Sequence, residues 1–80
     1  MSLGDIVSYK YTGENLKKLR KQRKISQIMM QTETGIEQAL ISKFENGKRI
    51  PPTDTLVLLA DYYGTNIDYL LDRTDNPQKI

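Results

Sequence analysis

The apolar residues of this chain recur three and four positions apart, the interval of an α-helix with one buried face. Leu16 and Leu19 mark a first helix over residues 14–24, rich in good helix formers, with an acid at its start and bases at its end. Ser26 is the expected N-cap of a second helix over 27–34, and Gly35 its stop. A third helix spans 38–45. The loop NGKRIPP follows, an Asn-Gly turn with two prolines that block helix continuation. Thr53 is the expected cap of a fourth helix, which carries Leu56, Leu59, Ala60 and Tyr63 on one stripe and ends before Gly64. Asn66 starts a short fifth helix with Ile67, Leu70 and Leu71 inward. No strand pattern is sustained, so the expected class is all-α. The expected layout is an N-terminal arm (1–12), a domain (13–72) and a C-terminal tail (73–80). Tyr9, Lys10 and Tyr11 are expected to pack back on the domain rather than meet a partner. The opening MSLG has the look of a vector-derived remnant.

The third helix has two well-sorted faces. At about 100° per residue, Leu40, Ile41 and Phe44 share one half of its circumference and Gln38, Ala39, Ser42 and Lys43 the other. An amide, a methyl, a hydroxyl and an ammonium suit the edges of nucleic-acid bases: Gln pairs with adenine, Ala touches a thymine methyl, and Ser and Lys donate to acceptors. Taken alone, such a face is more often ordinary surface. Its setting favours DNA, because a helix, a glycine-containing turn and a second helix form the arrangement that places the second helix in a major groove. The second helix is less tidy. Ile28 and Met29 fall on the side that should face solvent, while Gln31 and Thr34 fall where a core should be.

Eighty residues make one small domain, and 38% apolar with 28% charged residues suits a folded soluble chain. Cysteine and histidine are both absent. Disulfides, thiolate ligands, the commonest general base and the commonest metal ligand are thereby excluded. The carboxylates are scattered, so neither a catalytic residue, a metal site nor a cofactor is expected. No apolar run approaches the ~18 residues of a membrane span, and no signal peptide opens the chain, so a cytoplasmic location is expected. The net charge of +2 is unevenly placed. Residues 10–49 hold ten Lys and Arg against four Glu, whereas residues 50–80 hold two against five Asp. A basic front half suits a polyanion, although a solvated face explains the charge equally well. Most of Lys17, Lys18, Lys21, Arg23 and Lys24 are expected to be solvated and some to meet phosphate.

The run LRKQRKISQ, followed by TGIEQALISKFENGKRIPPTDTLVLLADYYGTNIDYLL, resembles the Cro and phage-repressor type of helix-turn-helix family, lambda-repressor-like or XRE-type. The likeness covers residues 15–72. Leu19-Arg20, Ser26-Gln27, Gly35-Ile36, Ile41, Glu45-Asn46-Gly47-Lys48, Pro51 and the Leu56, Leu59, Ala60 run all fall at that family's spacing. The resemblance implies a five-helix DNA-binding domain with the helix-turn-helix formed by helices two and three. It implies that Gln38 leads base reading, with Ala39, Ser42 and Lys43 at the other groove-facing positions. Gln27 would contact phosphate and brace Gln38, and Asn46, Lys48 and Arg49 would hold the DNA backbone. Arg20 and Glu45 would form a structural ion pair.

In that family the position of Gln31 is usually alanine and that of Thr34 aliphatic, so this chain departs there. The expectation is a sequence-specific, double-stranded-DNA-binding transcriptional regulator. Repression is preferred, because helix two lacks an acidic activating patch. It would act as a homodimer, with Ile67, Tyr69, Leu70 and Ile80 as candidate dimer contacts. An interaction module or antitoxin using Ile28 and Met29 as partner contacts is the alternative. At this length there is no room for a ligand-sensing domain, so the chain reads as a minimal Cro-like regulator or a piece of a longer one.

Overall fold

The computed structural model describes residues 9–79, with side chains described from Tyr11 onward. Five helices follow in order: α1 (Tyr9–Gln22), α2 (Gln27–Thr34), α3 (Gln38–Glu45), α4 (Thr53–Tyr63) and α5 (Ile67–Leu70). The expectations for residues 1–8 and for Ile80 lie outside the described residues.

Helix α1 begins at Tyr9, five residues earlier than its apolar pattern predicts. Packing explains the extra turn. Thr12 is 1% exposed and Gly13 is buried, so this turn lies against the rest of the molecule and tertiary contact overrides the poor helix propensity of glycine. A Cβ on Gly13 would stand 2.5 Å from the carbonyl oxygen of Phe44 and 2.6 Å from that of Glu45. The absence of a side chain is what lets α1 touch the end of α3. Past Gln22 the chain turns through Lys24, which adopts the left-handed conformation at φ 58°.

The caps are specific. Ser26 Oγ accepts from the Met29 amide at 3.0 Å, and Asn66 Oδ1 accepts from the Tyr69 amide at 2.7 Å. Gly35 ends α2 at φ 77° with open space around its Cα, so its requirement is the backbone angle and not room. Thr53 is not the cap of α4. It is the first helical residue, Pro52 stands in the N-cap position, and no side chain caps it. Within the first turn Asp54 Oδ1 accepts from the Thr55 amide at 2.8 Å, and its negative charge complements the helix N-terminus.

Every helix contributes to one core, built from Leu16, Met30, Ile41, Phe44, Leu56, Leu59, Ala60, Tyr63 and Leu70. The Tyr63 hydroxyl donates to Met30 Sδ at 2.8 Å, and burial pushes its pKa far above the ordinary tyrosine value. Arg23 lies 5.6 Å from the centroids of both the Tyr62 and Tyr63 rings, so one member of the basic run is engaged with aromatic faces. Tyr62 in turn donates to Glu33 at 2.7 Å.

The fifth helix is part of this core. Leu70 is fully buried and Tyr69 is 9% exposed, so neither offers the free apolar surface expected of a dimer contact. Ile67 is half-buried and packs against the same core. Among the described residues, the large hydrophobic side chains that stay exposed are Tyr11, Ile28, Met29, Val57 and Leu58. After α5 the chain folds back. Thr65 Oγ1 donates to the Pro77 carbonyl at 2.6 Å, and Asn66 Nδ2 donates to the carbonyls of Asn76 and Gln78 at 2.9 and 2.7 Å. Lys79 meets Asp61 at 3.1 Å on the surface. Among the described residues no helix is long and apolar enough to cross a membrane.

Candidate nucleic-acid interface

Helix α3 is sorted by burial as its sequence is sorted by chemistry. Ile41 and Phe44 are each 2% exposed, and Leu40 packs partly buried against the same core. Ala39 and Lys43 are exposed, and Gln38 and Ser42 are half-buried along the same outward face. Lys43 and Lys48, with Arg49, are exposed cations that make no ion pair among the described residues.

The turn between α2 and α3 explains why α3 starts where it does. Gly35 closes α2 by donating its amide to the Gln31 carbonyl at 2.9 Å. Glu37 then stands at the N-cap of α3 without a side-chain cap bond. The missing acceptor comes from the neighbouring helix, where Gln31 Oε1 takes the Gln38 amide at 2.7 Å. Gln31 is exposed and not set in the core, where its position on the helix was expected to place it. Thr34 is likewise no defect. Its hydroxyl donates to the Met30 carbonyl at 2.7 Å and accepts from the Ile36 amide at 3.2 Å. Both residues supply backbone groups at helix ends with partners they would otherwise lack.

The C-terminal end of α3 is held by an ion pair. Arg20 Nε donates to Glu45 Oε2 at 2.8 Å and Nη2 donates to Glu45 Oε1 at 3.0 Å, a two-pronged geometry. A third guanidinium nitrogen donates to the Ile25 carbonyl at 2.9 Å. Glu45 is 6% exposed, and its hydrogen bond to Arg20 holds the guanidinium pKa above its ordinary value. Gln27 joins this pair to the outward face. Its Nε2 donates to Glu45 Oε1 at 3.2 Å, and its Oε1 accepts from Gln38 Nε2 at 2.6 Å. After the helix, Asn46 Nδ2 donates to Ser42 Oγ at 3.2 Å. Gly47 adopts φ 72°, and the Lys48 amide returns to the Lys43 carbonyl at 3.0 Å. Lys48 and Arg49 therefore leave α3 in a tight turn beside its last residues.

Gln27, Gln38, Glu45 and Arg20 are thus assembled into one hydrogen-bonded chain, and Ser42, Lys43, Asn46 and Lys48 cluster at the far end of the same helix. Sequence reasoning misses the capping role of Gln31 and the close approach at Gly13. Both depend on contacts between helices, which a pattern along one helix does not contain. Among the described residues no three His, Cys, Asp or Glu gather as metal ligands would.

Residues 13–76 match the model of the helix-turn-helix domain family, and the chain belongs to it, in its Cro and phage-repressor branch. Relatives agree. It is 34% identical over 64 residues to the HTH-type transcriptional regulator YobD of Bacillus subtilis (strain 168), covering 80% of this chain and 57% of that one. It is 42% identical over 50 residues to the HTH-type transcriptional repressor RghR of the same organism, covering 61% and 37%. It is 32% identical over 66 residues to the HTH-type transcriptional regulator y4dJ of Sinorhizobium fredii (strain NBRC 101917 / NGR234), covering 82% and 86%. The chain spans little more than half the length of YobD, and likewise of YqaE. No solved structure gives a significant match.

Proposed function

We propose that the protein is a sequence-specific, double-stranded-DNA-binding transcriptional repressor that places α3 in the major groove. The observation that carries this reading is the outward face of α3. Gln38, Ala39, Ser42 and Lys43 stand free of the core on a helix whose other face and both ends are fixed. In this reading Gln38 leads base recognition, and the other three occupy neighbouring contacts. Gln27, Asn46, Lys48 and Arg49 hold phosphates and set the register. It acts by binding rather than catalysis, in the cytoplasm, as a homodimer on a pseudo-palindrome with half-sites about 34 Å apart. The name of RghR as a repressor favours repression over activation.

Selection of bound duplexes from a random pool tests this directly, and it reports half-site and spacing together. Affinity for the selected duplex should fall by ~0.9 log unit per log unit of salt for each phosphate neutralised. Gln38→Ala should lose about 1–3 kcal/mol of discrimination at one base pair only. Lys48→Ala should weaken every duplex alike and lower the salt slope by about one phosphate. A flat salt response with no selected sequence would refute the reading.

Ile28 and Met29 support a second reading, in which the fold serves as an interaction module or antitoxin. They are adjacent on α2 and 59% and 47% exposed. An Ile28→Ser/Met29→Ser protein that keeps DNA binding but loses regulation in cells would favour it.

A further inference from the structure

The turn that closes α3 carries the one Asn-Gly step of the chain. Asn15 precedes leucine, Asn66 isoleucine and Asn76 proline, and Asn46 alone precedes glycine. The side-chain amide of an asparagine can be attacked by the next backbone nitrogen, and a following glycine leaves that nitrogen unshielded. Ring closure needs the Gly47 nitrogen to eclipse Asn46 Cβ. At ψ 4° it instead eclipses the backbone nitrogen of Asn46, a third of a turn away. The Gly47 amide is also occupied, donating to the Phe44 carbonyl at 3.3 Å, and Asn46 Nδ2 donates to Ser42 Oγ at 3.2 Å. The Phe44 carbonyl is itself pinned, because Gly13 brings α1 against it, and Glu45 beside it is held by Arg20. Asn46 is exposed, so water reaches it; the fold withholds the geometry and not the solvent.

We propose that Asn46 is a modification site gated by the fold: when the end of α3 unravels, it deamidates through a cyclic imide, and the DNA-facing turn is altered for good. The Gly47 nitrogen gives its proton to base and attacks Asn46 Cγ. The N–Cγ bond forms, the Cγ–Nδ2 bond breaks, and ammonia leaves with a proton from water. Water then adds to either imide carbonyl and opens the ring. One opening leaves an aspartate. The other leaves an isoaspartate, whose main chain runs through the side-chain carbon. Nothing is oxidised or reduced, and water is the only reactant added. Both products put a carboxylate where an amide donated. The loss of binding rests on the reading of α3 as the groove-facing helix, where that carboxylate meets a phosphate. The isoaspartate also lengthens the main chain of the turn by one carbon, so Lys48 and Arg49 leave it on a different path. The Arg20–Glu45 pair is the latch on this chemistry. The native rate is the open fraction of the turn multiplied by the rate of an unfolded chain.

The full chain is incubated at mildly alkaline pH, folded in buffer or unfolded in guanidinium chloride. The gain of one mass unit is followed and mapped by peptide digestion. The unfolded chain should convert at position 46, and the native one at least about tenfold more slowly. Equal rates, or conversion at another asparagine first, would overturn the gate. Arg20→Met, shown by circular dichroism to be folded, should convert at least about tenfold faster than the native protein, because the open fraction rises when the pair is lost. A native rate in that variant would overturn the latch. A second measurement needs no variant. Hydrogen exchange at the Gly47 amide of the native protein gives the open fraction, which should predict the native conversion rate, and an unprotected Gly47 amide would overturn the gate. Deamidated chains, separated by charge and refolded, should bind the selected duplex at least about tenfold more weakly, as should Asn46→Asp. Native affinity in both would overturn the effect on DNA. A native protein that selects no duplex would overturn the DNA reading and leave the modification standing on its mass shift.

Discussion

An alanine at position 13 should destabilise the fold, although alanine is the better helix former. On a solvent-facing helix, replacing glycine by alanine gains about 1 kcal/mol. In α1 the new methyl would stand 2.5 Å from the Phe44 carbonyl oxygen and 2.6 Å from that of Glu45, both main-chain atoms at the end of α3. A carbon and a carbonyl oxygen rest comfortably at ~3.3 Å or more, so α1 has to retreat from α3 by roughly 0.7 Å. No rotamer change relieves the contact, because both sides are backbone. Overpacking of this kind costs about 1–3 kcal/mol, and the rigidity of both partners puts Gly13 at the upper end. Subtracting the propensity gain leaves a net loss of about 1–2 kcal/mol. In a domain of this size that lowers Tm by roughly 5–15 °C. Thermal and urea unfolding followed by circular dichroism measure it, with Lys17→Ala on the exposed face of the same helix as the neutral control. A Gly13→Ala protein as stable as the native one would refute the close approach of α1 to α3.

Arg20→Met should be the most damaging single change at the ion pair. It leaves Glu45 buried without its cation and costs about 3 kcal/mol or more in urea unfolding; a loss below ~1 kcal/mol would contradict a buried, two-pronged pair. Gln31→Ala should cost only about 0.5–1 kcal/mol, since it removes one exposed cap bond. Its signature is faster hydrogen exchange at the Gln38 amide, and an unchanged rate would exclude the cap. Tyr63 gives a pH dependence. Burial raises its folded pKa above the ordinary 10.0, so the unfolded chain releases this proton first. The stability it contributes is fully present below pH ~10 and falls above it, by up to ~1.4 kcal/mol per pH unit. Tyr63→Phe should flatten the alkaline limb of a stability–pH curve between about pH 10 and 12, and an identical slope in the two proteins would be the contrary result.

Much of this fold is legible along the chain because its signals are local. Ser26, Gly35, Gly64 and Asn66 act within a few residues of themselves, and each stands at the end of the helix it was expected to bound. The outward set on α3 follows from a single helical wheel. What escapes a linear reading is contact across helices. Gly13 looks like the end of a loop until the carbonyls of α3 are placed beside it. Gln31 looks like a polar intruder until the bare N-terminus of α3 is seen to need an acceptor. Leu70 and Tyr69 look available for a partner because periodicity marks a residue as apolar without saying whose core receives it. The start of α1 is misplaced for the same reason, since Thr12 and Gly13 are helical through what they touch rather than through propensity.

The returning segment after α5 bears on how the chain can be shortened. By helical content the domain stops at Leu70, and a cut shortly afterwards looks harmless. Such a cut would strip Thr65 Oγ1 and both Asn66 Nδ2 bonds of their acceptors and uncover Thr65, which is 3% exposed. The cap that Asn66 gives α5 would then compete with water for an amide no longer held in place. A version trimmed at the last helix should therefore be less stable than one that reaches Gln78, with the loss concentrated at that end.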